Sequence, residues 1–221
     1  MLKADLHVHT AYSIDSASPL EQIIARCLEV GINCLAIADH GTIAGALKLK
    51  EMAPFTIIVA EEILTPSGEI MGLFLSQEIP NKLPIKEALA RIKAQDGLVC
   101  IPHPYDRLRL WAFRNKELEI IMPQVDIIEV FNSRSLSLYS SSKAWQLAHK
   151  YGKLTSAGSD AHTPSEIGHA YIEMPEFNGK DEFLASLARG KIVGRRSNPL
   201  VHFASTWARL KEHLSQEKSS C

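Results

Sequence analysis

Leu2-Lys-Ala-Asp-Leu-His-Val-His9, then Ser18-Pro-Leu-Glu-Gln-Ile-Ile-Ala-Arg-Cys-Leu-Glu-Val-Gly31, then Asn33-Cys-Leu-Ala-Ile-Ala-Asp-His40, decide the fold class between them. In the first, Leu2, Ala4, Leu6 and Val8 alternate with Lys3, Asp5, His7 and His9, a period of two that predicts a strand. In the second, Leu20, Ile23, Ile24, Cys27 and Leu28 recur at helical spacing and Gly31 closes the helix. Ser18-Pro19-Leu20-Glu21 reads as a capping box with proline at the first helical position. Residues 33–38 form a short apolar run, a buried strand that ends in Asp39-His40. Strand, helix and strand in this order make a βαβ unit and a parallel sheet.

The alternation continues along the chain. Thr42 would cap a helix to about Lys50, and Phe55–Ala60 is a strand ending in Glu61-Glu62. After a turn at 65–68, Ile70–Leu75 is a strand and Pro84–Gln95 a helix. Leu98–Ile101 is a strand ending in Pro102-His103-Pro104, and Asp126–Phe131 one ending in Asn132. A Ser-rich stretch enters a helix that runs through Trp145 and Leu147 to Tyr151, and Leu154–Ala157 is a strand ending in Gly-Ser-Asp160-Ala-His162. Strand Ala170–Met174, helix Asp181–Arg189 and strand Lys191–Val193 complete the pattern, with an amphipathic tail to about Leu214. Tyr105–Lys116 is the least regular stretch, a loop expected over one end of the sheet. About seven βα units fit, which favours a closed or nearly closed barrel over an open sheet.

Composition sets outer bounds. With 221 residues, and about 150 per domain as a guide, residues 1–221 read as one α/β barrel domain. Apolar residues are 46% and charged residues 22%, a globular balance that excludes a disordered chain. A net charge of −1 excludes binding of long nucleic acid through bulk charge. Cys27, Cys34, Cys100 and Cys221 form no CxxC pair and fit small core residues in a reducing compartment. No apolar leader opens the chain and no apolar run is long enough to span a bilayer, so a soluble, cytoplasmic protein is expected.

His7 and His9, His40, Glu62, His103, and Asp160 with His162 each lie at or just past the C-terminal end of a predicted strand. In βα barrels that rim is where active sites are built. His7 and His9, two apart on a strand, share one side, here opposite the apolar face; Asp5 on that side would orient an imidazole. Alone, the pair equally fits two surface histidines on an edge strand. Asp160 and His162 repeat the spacing after Gly158, which permits a close backbone approach. The prolines around His103 stiffen its segment, although the same residues fit a surface turn. Glu61 and Glu62 are adjacent on a strand, so only one faces the mouth, and the other is expected to be solvated or paired. Imidazoles and carboxylates without a thiolate suit Zn, Mn or Fe, and their number exceeds what one ion uses. Two or three divalent ions are expected, a set that hydrolyses by clamping oxygens and generating hydroxide.

Asp-Leu-His7-Val-His9-Thr, Asp15, Ala-Ile-Ala-Asp-His40-Gly, Glu-Glu62-Ile, Pro-His103-Pro and Gly-Ser-Asp160-Ala-His162, in this order, resemble the PHP (polymerase and histidinol phosphatase) family over about residues 4–170. The resemblance implies a distorted (β/α)7 TIM-like barrel with a trinuclear metal site that hydrolyses phosphate esters. Carried over, His7, His9, Glu62 and Asp160 would hold one ion, and Glu62 would bridge to a second held with His103. Asp15, His40 and His162 would hold a third. Where many members place a histidine this chain has Gly68-Glu69-Ile70, so Glu69 either supplies an oxygen ligand that favours Mn or faces away. Absence of an inserted domain between Glu62 and His103 separates the chain from many exonuclease-like members, and absence of a polymerase domain from the polymerase-linked ones.

The function implied is a metal-dependent phosphoesterase in which a metal-activated hydroxide attacks a small phosphomonoester or a nucleotide. Arg107, Arg109, Arg134, Arg195 and Arg196 are candidate phosphate contacts, with Arg107 and Arg134 preferred because each follows a strand that ends in a site residue. The alternatives are a phosphodiesterase acting on short oligonucleotides, an amidohydrolase-type enzyme, and a non-catalytic metal-binding module. His149, His202 and His213 lie on helical or terminal segments outside the site, and the place of His169 is open.

Overall fold

The computed structural model describes residues 1–106, 113, 115–135 and 137–198. Nine strands form one sheet in the order β7-β6-β5-β4-β3-β2-β1-β8-β9. They are β1 (Leu2–Val8), β2 (Cys34–Ile37), β3 (Thr56–Thr65), β4 (Gly68–Leu73), β5 (Leu98–Ile101), β6 (Ile127–Asn132), β7 (Leu154–Gly158), β8 (Ala170–Met174) and β9 (Lys191–Gly194). Among the described residues six helices are interleaved: α1 (Leu20–Val30), α2 (Ala44–Met52), α3 (Ile85–Ala94), α4 (Asn115–Ile121), α5 (Leu138–Tyr151) and α6 (Gly179–Leu187). None of them is long and apolar enough to cross a membrane.

The sheet curls into a nearly closed barrel, the expected fold. Ala4, Leu6, Ala36, Ile58, Met71, Cys100 and Ile127 fill its interior, and an outer core of Val8, Leu35, Ile37, Val59, Ile128 and Val130 joins the sheet to the helices. Closure occurs late along β1. Its first residues, Leu2–Ala4, pair antiparallel with β8, whereas its end meets the segment after β7: Asp160 N donates to His7 O at 2.7 Å and His9 N to Ala161 O at 2.9 Å. Gly158 makes this possible, because a Cβ there would lie 2.3 Å from His7 Cβ and 2.8 Å from His7 N.

The barrel departs from seven parallel units. β4 runs antiparallel to both β3 and β5, and β8 and β9 are antiparallel additions beside β1. β3 reaches Thr65, five residues beyond the predicted Ala60, because the hairpin partner β4 supplies hydrogen bonds up to the turn. α1 begins at Leu20 with Pro19 as its cap and no side-chain cap bond, so the Ser18 capping box is absent. A capping box is instead built at Thr163 and Glu166, in the single 3₁₀ turn after β7.

Register shifts re-aim side chains at the rim. Between Asp5 and Val8 the pairing of β1 with β2 slips, and alternation is interrupted there. Leu2, Ala4 and Leu6 point inward and Val8 outward, so His7 and His9 face the barrel mouth on the same side as the apolar residues. The sequence pattern placed them on the opposite side; the bulge is the physical reason for the difference.

Candidate metal centre

Strand ends and the loops after them gather nine predicted residues in one buried cleft. His7 and His9 come from the end of β1, Asp15 from the loop that follows, and His40 from the end of β2. Glu62 lies on β3, Glu69 on β4, His103 after β5, and Asp160 and His162 after β7. His7, His9, Asp15, Glu62 and Asp160 are 0% exposed. His103 and Asp160 have positive φ, 27° and 55°, so both loops are bent through a sparsely populated region at this point.

Nε2 of His7 lies 3.2 Å from Nε2 of His9 and 3.2 Å from Oε2 of Glu62. His9 Nε2 is 3.4 Å from the same Glu62 oxygen and 3.3 Å from Asp160 Oδ1. The other Glu62 oxygen, Oε1, is 2.9 Å from His103 Nε2. Asp15 Oδ2 sits 3.4 Å from His40 Nε2 and 3.2 Å from His162 Nε2. Three overlapping sets have ligand atoms within 4.8 Å of one another: His9, Asp15, His40 and His162; His7, Glu62 and His103; and His7, His9 and Asp160. His9 thus joins the Asp15 set as well as the His7 set, a sharing the sequence comparison with the family did not anticipate.

Charge is tightly balanced. Burial pulls the His7 imidazole down, but Glu62, Asp160 and Glu129 carry it well above its ordinary value. His40 is likewise opposed by burial and lifted to about 10 by Glu62 and Asp15. Glu62 resists its own burial and is held well below the carboxylate range by His7, His40 and His103. Burial and the neighbouring His9 push His162 down to about 4, against the pull of Asp15. A field that concentrates protons on these rings equally attracts metal cations. Among the described residues, nitrogen and oxygen donors converge without a thiolate, and Glu69 Oε2 is buried with no hydrogen-bond partner, 3.7 Å from His103 Nδ1. The cleft therefore fits hard to borderline divalent ions.

The two adjacent glutamates diverge as strand geometry requires. Glu61 points away from the cleft and is 0% exposed, its Oε2 accepting from Ile79 N at 2.8 Å. It is paired rather than solvated, and burial pushes it up to about 8. Arg134 is buried, with Nε 3.5 Å from Glu166 Oε1 and Nη1 3.5 Å from the Asp160 carbonyl. Arg107, Arg109, His202, His213 and Cys221 lie outside the described residues. His149 is exposed on α5, and His169 pairs with Ser197 Oγ at 2.9 Å, apart from the three sets. Asp5, expected to orient an imidazole, instead accepts from Ser159 N at 2.8 Å and Gly168 N at 3.2 Å.

Glu129 and Glu166 were not picked out by sequence reasoning, and Asn132 only as the end of a strand. Glu129 Oε1 lies 3.1 Å from His7 Nδ1, and Asn132 Nδ2 donates to Asp160 Oδ2 at 3.2 Å. Glu166 Oε2 accepts from His162 N and Thr163 N at 3.1 and 3.0 Å. A signal existed for Glu129: a charged residue between Ile128 and Val130 in an otherwise apolar strand.

Family and fold comparisons point the same way. The PHP domain family model matches residues 5–59 and the PHP-associated model residues 140–192. An uncharacterized protein of Methanocaldococcus jannaschii is 40% identical over 180 residues, which cover 80% of this chain and 72% of that protein. A two-domain Bacteroides vulgatus protein containing a predicted PHP-like metal-dependent phosphoesterase superposes with a TM-score of 0.71 at 17% identity, covering 88% of this chain and 65% of that one. A Bifidobacterium adolescentis protein, provisionally named a metal-dependent phosphoesterase, gives 0.64 at 15% identity, covering 85% of this chain and 96% of its own. At these identities the likeness to the two solved structures is one of fold.

Proposed function

Because this chain belongs to the PHP family, we propose that its cleft is the active site of a divalent-metal-dependent phosphoesterase acting on a small phosphomonoester or a nucleotide. One observation carries the reading: three overlapping sets of imidazoles and carboxylates share one buried cleft at the strand ends. His7, Glu62 and His103, with Glu69, would hold one ion; His9, Asp15, His40 and His162 a second; His7, His9 and Asp160 a third. Two or three Zn, Mn or Fe ions suit these donors. Ions bound there supply Lewis acidity toward phosphoryl oxygens and make water acidic enough to be a nucleophile near neutral pH.

The chain's own residues have distinct tasks. Glu62 offers one oxygen to His103 and the other to His7 and His9, so this carboxylate would lie between two cation sites and offset their repulsion. Asp15 aligns His40 and His162 through one oxygen. Arg134, braced by Glu166, adds positive charge beside Asp160 and His162 for the phosphate. Arg107 remains a second phosphate contact by position in sequence. Three free, buried cysteines suit a protein of the reducing cytoplasm.

The test is metal analysis of the purified protein followed by phosphate release from mononucleotides, nucleoside bisphosphates, histidinol phosphate and short single strands. Metal-dependent release from a monoester or nucleotide is expected. Full metal loading without release from any of them would overturn the catalytic reading in favour of a metal-binding module.

A further inference from the structure

We propose that Glu129 is a positioning residue that keeps a proton of His7 on Nδ1 and so leaves Nε2, which faces the cleft, as the nitrogen available to a cation. The inference rests on the metal-centre reading above and adds a residue to it. Both side chains are buried, and a buried polar atom must find its partner inside the protein. Glu129 Oε1 is 3.1 Å from His7 Nδ1, while its Oε2 accepts from His103 N at 2.8 Å and Asn132 Nδ2 at 3.0 Å. With Oε1 as the acceptor, this pairing places a proton on Nδ1. On the other side of the ring, Nε2 faces Glu62 Oε2 and His9 Nε2, each at 3.2 Å.

The same carboxylate reaches across the cleft. Through Oε2 it holds the backbone of His103 at its bent, positive-φ residue, and through Asn132 it is tied to Asp160. One residue thus orients His7 and steadies the loops that carry two other members of the sets.

Donor counting makes this testable. In Glu129→Gln, two N–H donors, His103 N and Asn132 Nδ2, claim the single amide oxygen. The amide NH2 must then face His7 Nδ1, which has to become an acceptor, and the neutral ring carries its proton on Nε2 toward the cleft. The reverse amide orientation would set the NH2 against two buried donors. A near-isosteric change therefore inverts the tautomer, while Glu129→Asp, shorter but still charged, retains it.

The experiment measures zinc affinity by chelator competition, zinc stoichiometry, and the thermal stability of the zinc-free protein for wild type, Glu129→Gln, Glu129→Asp and His7→Ala. Glu129→Gln should bind zinc about 10–100-fold more weakly, with Glu129→Asp between it and wild type. Packing alone would give the reverse order, with Gln silent and Asp harmful, and that order overturns the inference. So does wild-type affinity in Glu129→Gln when His7→Ala is weakened. Wild-type affinity in His7→Ala as well would instead remove the metal-centre reading. Should Glu129→Gln fail to fold, histidine-ring nitrogen NMR of the zinc-loaded wild type decides: a proton on His7 Nδ1 is required, and its absence refutes the assignment.

Discussion

Replacing Gly158 by alanine tests the closure of the barrel and the metal centre together. A Cβ at this position would stand 2.3 Å from His7 Cβ, 2.8 Å from His7 N and 3.0 Å from His7 Cα. Carbon atoms settle at roughly 3.5–4.0 Å, so β7 and β1 would have to separate by more than about 1 Å. The obstacles are main chain and the first side-chain atom, so no rotamer change relieves them. Overpacking of this kind costs about 1–3 kcal/mol, which lowers Tm by roughly 2–12 °C in a chain of this size. His7 moves with β1, and ligand distances tolerate only about 0.2 Å, so zinc or manganese occupancy should fall as well. Gly152→Ala is the control: its φ is 59° and nothing lies within 4 Å of the added atom. Left-handed strain there should cost about 1–2 kcal/mol without any loss of metal. Thermal melts and metal stoichiometry of both variants decide the matter. If Gly158→Ala keeps full metal and melts no lower than Gly152→Ala, the close approach of β7 to His7 is refuted.

Four further outcomes are expected. Glu62→Gln should cut metal occupancy and turnover by at least about tenfold, since it removes the negative charge that lies against His7, His9 and His103. Glu61→Gln should leave both nearly intact. Because Glu61 is pushed by burial to about 8, its stabilising protonated form is complete below about pH 4.5, and folding is progressively penalised as pH rises to 8. The stability of Glu61→Gln relative to wild type should therefore rise by about 1.4 kcal/mol per pH unit over that window and then level off; a pH-independent difference in urea melts would contradict it. Metal binding at pH 7 should release protons held by His7 and His40, and apparent affinity should rise with pH. An indicator dye in weak buffer reads the release, and its absence would contradict the charge balance described. Cys27 and Cys34, pushed by burial to about 12, should resist alkylation at pH 8 in the folded protein and react once it is unfolded, as mapped by mass spectrometry.

Most of the barrel was legible because its strands are short apolar runs bounded by polar ends, and the cleft residues sit at those ends. The direction of β4 was legible too, and the rule of alternation obscured it. The turn at 65–68 leaves β3 and β4 joined by two residues, and a parallel pair needs a crossover of about a dozen or more. The side taken by His7 and His9 was not legible. A bulge inserts one residue into one strand without altering residue types, so strict alternation from Leu2 to His9 sends the histidines outward. Their shared side followed from the spacing of two, and only the pairing with β2 shows which side it is. Glu129 was hidden for another reason: β6 was read by its apolar residues, and a lone carboxylate inside it looked like an exception to the pattern.

Several buried carboxylates near the cleft face backbone rather than one another's ions, and this explains how the rim holds its shape. Asp39 accepts from Thr10 N and Thr10 Oγ1, both at 2.6 Å. Asp5 binds Ser159 N and Gly168 N, and Glu166 binds His162 N and Thr163 N. Each carboxylate fixes main chain at or next to a cleft residue, His9, Asp160 and His162 respectively. Burial raises all three carboxyl groups, Asp5 to about 7, so each resists its own position. A core built for stability alone would place apolar side chains there. The retention of three costly carboxylates beside three cleft loops is what precise placement of ligands demands, since a constellation that must hold to about 0.5 Å needs its supporting residues locked by hydrogen bonds.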